Sequence, residues 1–174
     1  MPLDHLWATW RSSYVGSFHD ERIDDGRSLF ERILAADVPD RESGIVVRGE
    51  RCFVLLNRFP YTSGHLMVLP NTAVAVLEDL DEATHTELWA LVRSSVVAVK
   101  AAFGCDGVNI GVNLGEAAGG SQSDHLHVHC VPRWIGDANF MAVAAETRVL
   151  PVGLDEAWTR LVEAWPSGPA PTAT

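Results

Sequence analysis

Apolar side chains recur along this chain with two different periods. Between residues 81 and 103, Leu88, Leu91, Val92, Ser95, Val96, Val99 and Phe103 fall at i, i+3, i+4 spacing. That is the mark of one long amphipathic helix, and Gly104 is suited to end it. Elsewhere the apolar positions alternate or form short runs: GIVVRG at 44–49, RCFVLLN at 51–57, HLMVLP at 65–70, GVNIGVNLG at 107–115 and HLHVHCVP at 125–132. These predict five strands, the first two joined by a tight turn near Gly49-Glu50, with FPYTSG turning the chain into the third. Leu29, Phe30, Ile33 and Leu34 predict a short helix that ends before Pro39; Leu3, Leu6, Trp7, Trp10 and Tyr14 predict an N-terminal one; Leu154, Trp158, Leu161 and Trp165 predict a last helix over 154–165. Strands outnumber helices and hairpin-length connections dominate the middle. The expected class is therefore α+β: an antiparallel sheet of about five strands, with the long helix packed on one face and N- and C-terminal helices.

Composition narrows this picture. The chain has 174 residues, 47% of them hydrophobic, which suits one domain with an ordinary core. The polar stretch SFHDERIDDG at 17–26 reads as a loop, and PSGPAPTAT at 166–174 has the composition of a disordered tail. The expected division is an N-terminal extension (1–27), a domain (28–165) and a tail (166–174). No apolar run reaches the roughly 18–20 residues needed to cross a bilayer, and the first residues lack the pattern of a secretory signal. The expectation is a cytoplasmic protein with no membrane partner. A net charge of −10 disfavours general nucleic-acid binding, which needs clustered Lys and Arg. It leaves room for a small anionic substrate held by backbone N–H groups and a few aimed side chains. Cys52, Cys105 and Cys130 are widely spaced, so they predict reduced thiols and neither a disulfide framework nor a Cys-x-x-Cys knuckle.

The chemistry concentrates in Ser121-Gln122-Ser123-Asp124-His125-Leu126-His127-Val128-His129-Cys130. In an extended segment alternate side chains share a face, so His125, His127 and His129 point one way and Leu126, Val128 and Cys130 the other. Packing alone does not explain three imidazoles in a row on one face. They could bind a metal, or one could attack phosphorus while its neighbours orient it. A third histidine on a straight strand joins a shared metal with difficulty, and no Cys or carboxylate cluster is adjacent in sequence. The loop ahead, Gly119-Gly120-Ser121, offers small residues and free N–H groups that can wrap a phosphate, which favours phosphoryl chemistry without a metal.

This pattern resembles the histidine-triad (HIT) superfamily, whose signature alternates histidine with apolar residues as His125-Leu126-His127-Val128-His129-Cys130-Val131 does. Asn57-Arg58-Phe59-Pro60-Tyr61-Thr62-Ser63-Gly64-His65 through Pro70 is similar to a second stretch of that family, and the likeness covers about residues 28–134. The resemblance implies that His127 is the nucleophile, with His125 and His129 orienting it and contacting phosphate. It implies that Leu29, Phe30, Ile33, Asn57, His65, Met67 and Trp134 surround the nucleoside, although Phe30 and Ile33 would otherwise read simply as core. The branch most resembled contains the diadenosine tetraphosphate (Ap4A) phosphorylases. The likeness to that branch runs through Trp7, Trp10, Arg11, Tyr14, Pro132-Arg133-Trp134 and Asn113-Leu114-Gly115 with Gly119-Gly120-Ser121; it implies that Asn113, Gly119, Gly120, Ser121 and Gln122 hold inorganic phosphate. The activity implied is nucleotidyl transfer through a covalent His127–nucleotide intermediate, Ap4A and phosphate giving ATP and ADP. The alternatives are a hydrolase of the same family using water, a metal-dependent hydrolase, and a nucleotide-binding protein without turnover. Many relatives carry a Cys-x-x-Cys zinc pair where Ser28 to Glu31 stand here, so no such zinc and no cofactor are expected. A homodimer through the long helix and a strand edge is implied by the family.

Overall fold

The computed structural model describes residues 25–118, 122–137 and 150–167. In chain order its elements are α1 (Leu29–Ala35), α2 (Asp40–Ser43), β1 (Ile45–Arg48), β2 (Cys52–Leu56), β3 (Leu66–Pro70), α3 (Glu82–Phe103), β4 (Gly107–Val112), β5 (Val128–Arg133) and α4 (Leu154–Glu163). The strands form one antiparallel sheet in the order β1-β2-β3-β5-β4. This is the α+β architecture that the periodicity predicts. The helix expected over residues 3–14 and the tail from residue 168 lie outside the described residues.

Each strand divides its side chains between two faces. Cys52, Val54 and Leu56 of β2, Leu66 and Val68 of β3, and Val128 and Cys130 of β5 pack against Leu88, Leu91, Val92 and Val99 of α3 and Leu161 of α4. Phe53, Leu55, Met67 and Leu69 point the other way and, with Ile45, meet Phe30 of α1. β2 and β3 are buried on both faces, which is why they read as continuous apolar runs and not as alternations. Each fully buried side chain of this size contributes about 1.5–3 kcal/mol, so the α3 layer is the main anchor of the sheet. The start of α3 is capped by Asp81, whose carboxylate accepts the Thr84 N–H, and Gly104 ends it in the left-handed region at φ 57°.

One structural carboxylate was not legible in the sequence. Glu87 lies on the buried side of α3, only 4% exposed. Its oxygens accept the backbone N–H groups of Arg51 and Cys52 at 3.1–3.2 Å. A buried charge is costly unless paired; here the pairing fixes the β1–β2 turn to the helix.

The strand predicted over 125–132 begins at Val128 instead. Its lead is held elsewhere: Leu126 N–H donates to the Val74 carbonyl at 2.7 Å, and the His125 ring donates to the Pro70 carbonyl. Both bonds run to the segment at and after the end of β3, so His125 and Leu126 leave the ladder without leaving their faces. β4 likewise stops at Val112, and Gly115 turns at φ 75°.

Candidate active site

The three imidazoles gather on the sheet face that carries α1. His129 sits in β5 opposite Met67 of β3 and Gly111 of β4, and Gly111 adds no side chain beside it. His127 and His129 have ring centroids 4.9 Å apart at 85°. Phe30 of α1 stands 5.4 Å from both His125 and His127. Leu126, Val128 and Cys130 enter the core on the α3 side. The alternation read from the sequence therefore holds through the whole triplet.

Hydrogen-bond partners assign the protons. His127 Nδ1 lies 2.8 Å from the backbone carbonyl of His125. A carbonyl only accepts, so Nδ1 carries the hydrogen and Nε2 keeps its lone pair. His125 Nε2 donates to the Pro70 carbonyl at 2.9 Å, which leaves its Nδ1 to accept from the Ser28 hydroxyl at 2.7 Å. His65, fully buried, connects to the third member. Its Nδ1 accepts from the Tyr61 N–H and from the Asn57 amide, each at 3.2 Å. Its Nε2 therefore holds the proton and donates to His129 Nδ1 at 3.0 Å. His129 in turn keeps its hydrogen on Nε2, where it can donate. The row thus offers a nucleophilic nitrogen on His127 and an N–H donor on the histidine beside it.

Burial, and then the neighbouring His127, pushes the His129 imidazole down to about 4. Burial likewise lowers His125, partly offset by the Pro70 carbonyl. Both rings are neutral at pH 7, so neither competes with a phosphate for protons. The consequence for stability has a definite sign. In the unfolded chain a histidine titrates near 6.5, above the folded value, so between about pH 6.5 and 4 the unfolded chain binds more protons. The contribution of His129 is fully present above that window and is lost as pH falls through it. Stability at pH 4.5 is expected to be about 1–3 kcal/mol below that at pH 7, read from urea midpoints. The capping carboxylates Glu31 and Asp81, held low by backbone N–H groups, lose theirs only at more acidic pH. A flat midpoint from pH 7 to 4.5 would contradict the neutral assignment.

The remaining predicted residues divide into three groups. Phe30 and Met67 are buried together in the α1-side cluster, with Ile33 packed against it and Leu29 half-buried beside them. Asn57 is committed at both ends of its amide, to the Phe59 N–H and to His65. Asn113 follows directly on Val112, which pairs with Val128, so by extension of the register it stands across from His127. Trp134 comes directly after Arg133, the last residue of β5. Its backbone closes a turn with Asp137. Gln122 is described and half-buried, whereas Gly119, Gly120 and Ser121 lie outside the described residues. Two neighbours of the triad went unassigned in the sequence reading. Tyr61 lies 4.7 Å from His65 and 5.9 Å from His129, and its N–H orients His65. Ser28 touches His125 directly.

Ser28 and Glu31 are bonded to each other: Ser28 Oγ accepts the Glu31 N–H, and the Glu31 carboxylate accepts the Ser28 N–H. Among the described residues no group of three or more His, Cys, Asp or Glu side chains is placed to hold a metal. Cys52 and Cys130 are buried, as expected, and burial raises their thiols to about 12, which makes them unreactive.

The family model described as the HIT domain matches residues 39–134. Over 170 residues, 96% of this chain and 87% of the relative, the chain is 37% identical to a Mycobacterium tuberculosis protein named AP-4-A phosphorylase. It is 32% identical over 93 residues to a bis(5'-adenosyl)-triphosphatase of Dictyostelium discoideum, covering 53% of this chain and 62% of that one. Among solved structures, a zinc-bound histidine triad family protein of Mycobacterium smegmatis is 28% identical with a TM-score of 0.64, covering 79% of this chain and 91% of that one. A Hit-like protein of Bartonella henselae shares the fold at a TM-score of 0.65 and 23% identity, covering 80% of this chain and 97% of that one. With the triplet on one face, its tautomers set by the fold and the family model spanning more than half its length, this chain belongs to the histidine-triad (HIT) family.

Proposed function

We propose that this protein is a nucleotidyl-transferring enzyme that cleaves Ap4A with inorganic phosphate through a covalent nucleotide on His127. The observation that carries the proposal is the hydrogen bond from His127 Nδ1 to the His125 carbonyl, which in the neutral ring leaves the lone pair on Nε2. In the first step Nε2 attacks the α-phosphorus of Ap4A. An N–P bond forms, the bond from that phosphorus to the bridging oxygen breaks, and ATP leaves. His129, whose Nε2–H is set by His65, is suited to donate to the oxygens that gain charge. In the second step an oxygen of inorganic phosphate attacks the same phosphorus, the N–P bond breaks, and ADP leaves with His127 restored. Two displacements of this kind are the mark of nucleophilic catalysis, and the Nδ1 bond of His127 supports reading it as the nucleophile. Asn113, across the ladder from His127, and the Gly119–Ser121 loop are proposed to hold the incoming phosphate. Phe30, Ile33 and Met67 are proposed to border the base.

The mycobacterial relative of that name, similar over 96% of the chain, supports phosphate as the acceptor. The shorter match to a triphosphatase favours water as the second reading. Incubation with Ap4A and labelled phosphate separates them: label entering ADP is the expected result. AMP without labelled ADP would replace phosphorolysis by hydrolysis. The proposal includes a homodimer through the open edge of β4 and the outer side of α3, where Ile110, Leu114, Trp89 and Val97 are exposed.

A further inference from the structure

Ser28 stands at a junction that the reaction scheme above does not use. It is 6% exposed and is the N-cap of α1, the helix that carries Phe30 and Ile33. Its hydroxyl accepts the Glu31 N–H at 3.1 Å and faces His125 Nδ1 at 2.7 Å. Glu31 closes the circuit from the other side. One carboxylate oxygen accepts the Ser28 N–H at 2.8 Å, and the other accepts the N–H of Ala73, just beyond β3, at 3.0 Å. His125 then donates from Nε2 to Pro70, the last residue of β3. Helix start, strand end and triad lead are thus joined in one circuit of hydrogen bonds, closed by the backbone from Pro70 to Ala73.

Every proton in that circuit is accounted for. The Pro70 carbonyl requires a hydrogen on His125 Nε2, and the two N–H groups on Glu31 occupy its carboxylate. The one hydrogen free to point at His125 Nδ1 is therefore that of the Ser28 hydroxyl. Without it the buried Nδ1 has no donor there, and a buried unsatisfied acceptor drives a ring to turn, protonate or move. His125 cannot move without consequence, because its backbone carbonyl holds His127 Nδ1–H.

We propose that Ser28 is a positioning residue for the nucleotidyl-transfer step: its hydroxyl locks the His125 ring, and the locked His125 backbone aims His127 Nε2. This inference rests on the reading of His127 as nucleophile. It assigns to α1 a second part beyond enclosing the base, because the same residue that starts the helix sets the geometry of the triad.

The test compares Ser28→Gly, Ser28→Ala and Ser28→Thr in the full chain. Glycine is nearly as good an N-cap as serine, so Ser28→Gly removes the hydroxyl with little loss of the helix start. Ap4A with inorganic phosphate serves as the substrate pair. The expected result is a fall in kcat of about tenfold or more for Ser28→Gly and Ser28→Ala, with KM within about twofold and the melting temperature of Ser28→Gly close to that of the parent. Ser28→Thr, which restores the hydroxyl, regains the rate. Nitrogen-15 imidazole spectra are expected to show His125 as the Nε2–H tautomer throughout, with its Nδ1 resonance displaced in Ser28→Gly by loss of the hydroxyl hydrogen bond and restored in Ser28→Thr. A Ser28→Gly enzyme with parental kcat, or with an unchanged His125 spectrum, would overturn the proposal while leaving His127 as nucleophile. A rate loss that Ser28→Thr fails to restore would overturn it too. A parent enzyme that does not turn over Ap4A, with phosphate or with water, would overturn both the positioning role and the functional reading beneath it.

Discussion

Replacing His127 by alanine is expected to abolish turnover of Ap4A, with kcat down by about 10⁴-fold or more. The magnitude follows from the role. Removing a nucleophile deletes the covalent route, and what remains is the binding and electrostatic help given to direct attack. His127 has its Nδ1 bond to the carbonyl two residues away, a tilted contact with Phe30 and an edge contact with His129. Its loss therefore removes little from the core, and the variant is expected to fold. His129→Ala is expected to cost less, because it removes a donor to the reacting oxygens and leaves the attacking nitrogen in place. Steady-state kinetics with melting curves check both. Parental kcat in a folded His127→Ala protein would remove phosphorolysis and hydrolysis through a covalent nucleotide together.

The second large effect is on the fold and reaches the site through it. Gly64→Ala is expected to destabilise the protein by about 3 kcal/mol and to lower activity beyond what the lost folded fraction explains. Gly64 sits at φ 82°, a left-handed conformation that costs an L-residue roughly 1–2 kcal/mol. A Cβ there would also overlap the ring of Phe103, with Cζ 2.7 Å away, at the end of α3. Whatever shift relieves that overlap carries His65, the next residue, whose Nε2 sets the tautomer of His129. Urea denaturation and kcat measured on the folded fraction separate the two parts of the effect. A variant with parental stability would contradict the packing described for this turn.

The sequence made the long helix, the five strands and the triad face readable because each rests on a local period. The helix predicted over 81–103 is observed as Glu82–Phe103, and its terminal glycine was visible in the pattern. The start of β5 was misplaced by three residues because its lead is tied to Pro70 and Val74, contacts between segments more than fifty residues apart. Glu87 was invisible for the same reason: a polar residue in a helical stripe looks like an error in the period until Arg51 and Cys52 are brought against it. Ser28 was noticed only as a missing cysteine, although a Ser followed three residues later by Glu is a capping-box signature. What no spacing could show is that the same hydroxyl meets His125. Of the proposed phosphate site, Asn113 could be placed by strand register, while Trp134 reads as a site residue only from resemblance.

The most direct test of the central claim is to mix enzyme with Ap4A in the absence of phosphate, quench within milliseconds in alkali, and map the adduct by peptide mass spectrometry. A nucleotidyl group of AMP mass, stable to base and labile to acid as an N–P bond is, should be found on His127 of the parent and be missing from His127→Ala. An adduct on another residue, or rapid turnover with no adduct at any time, would contradict the account.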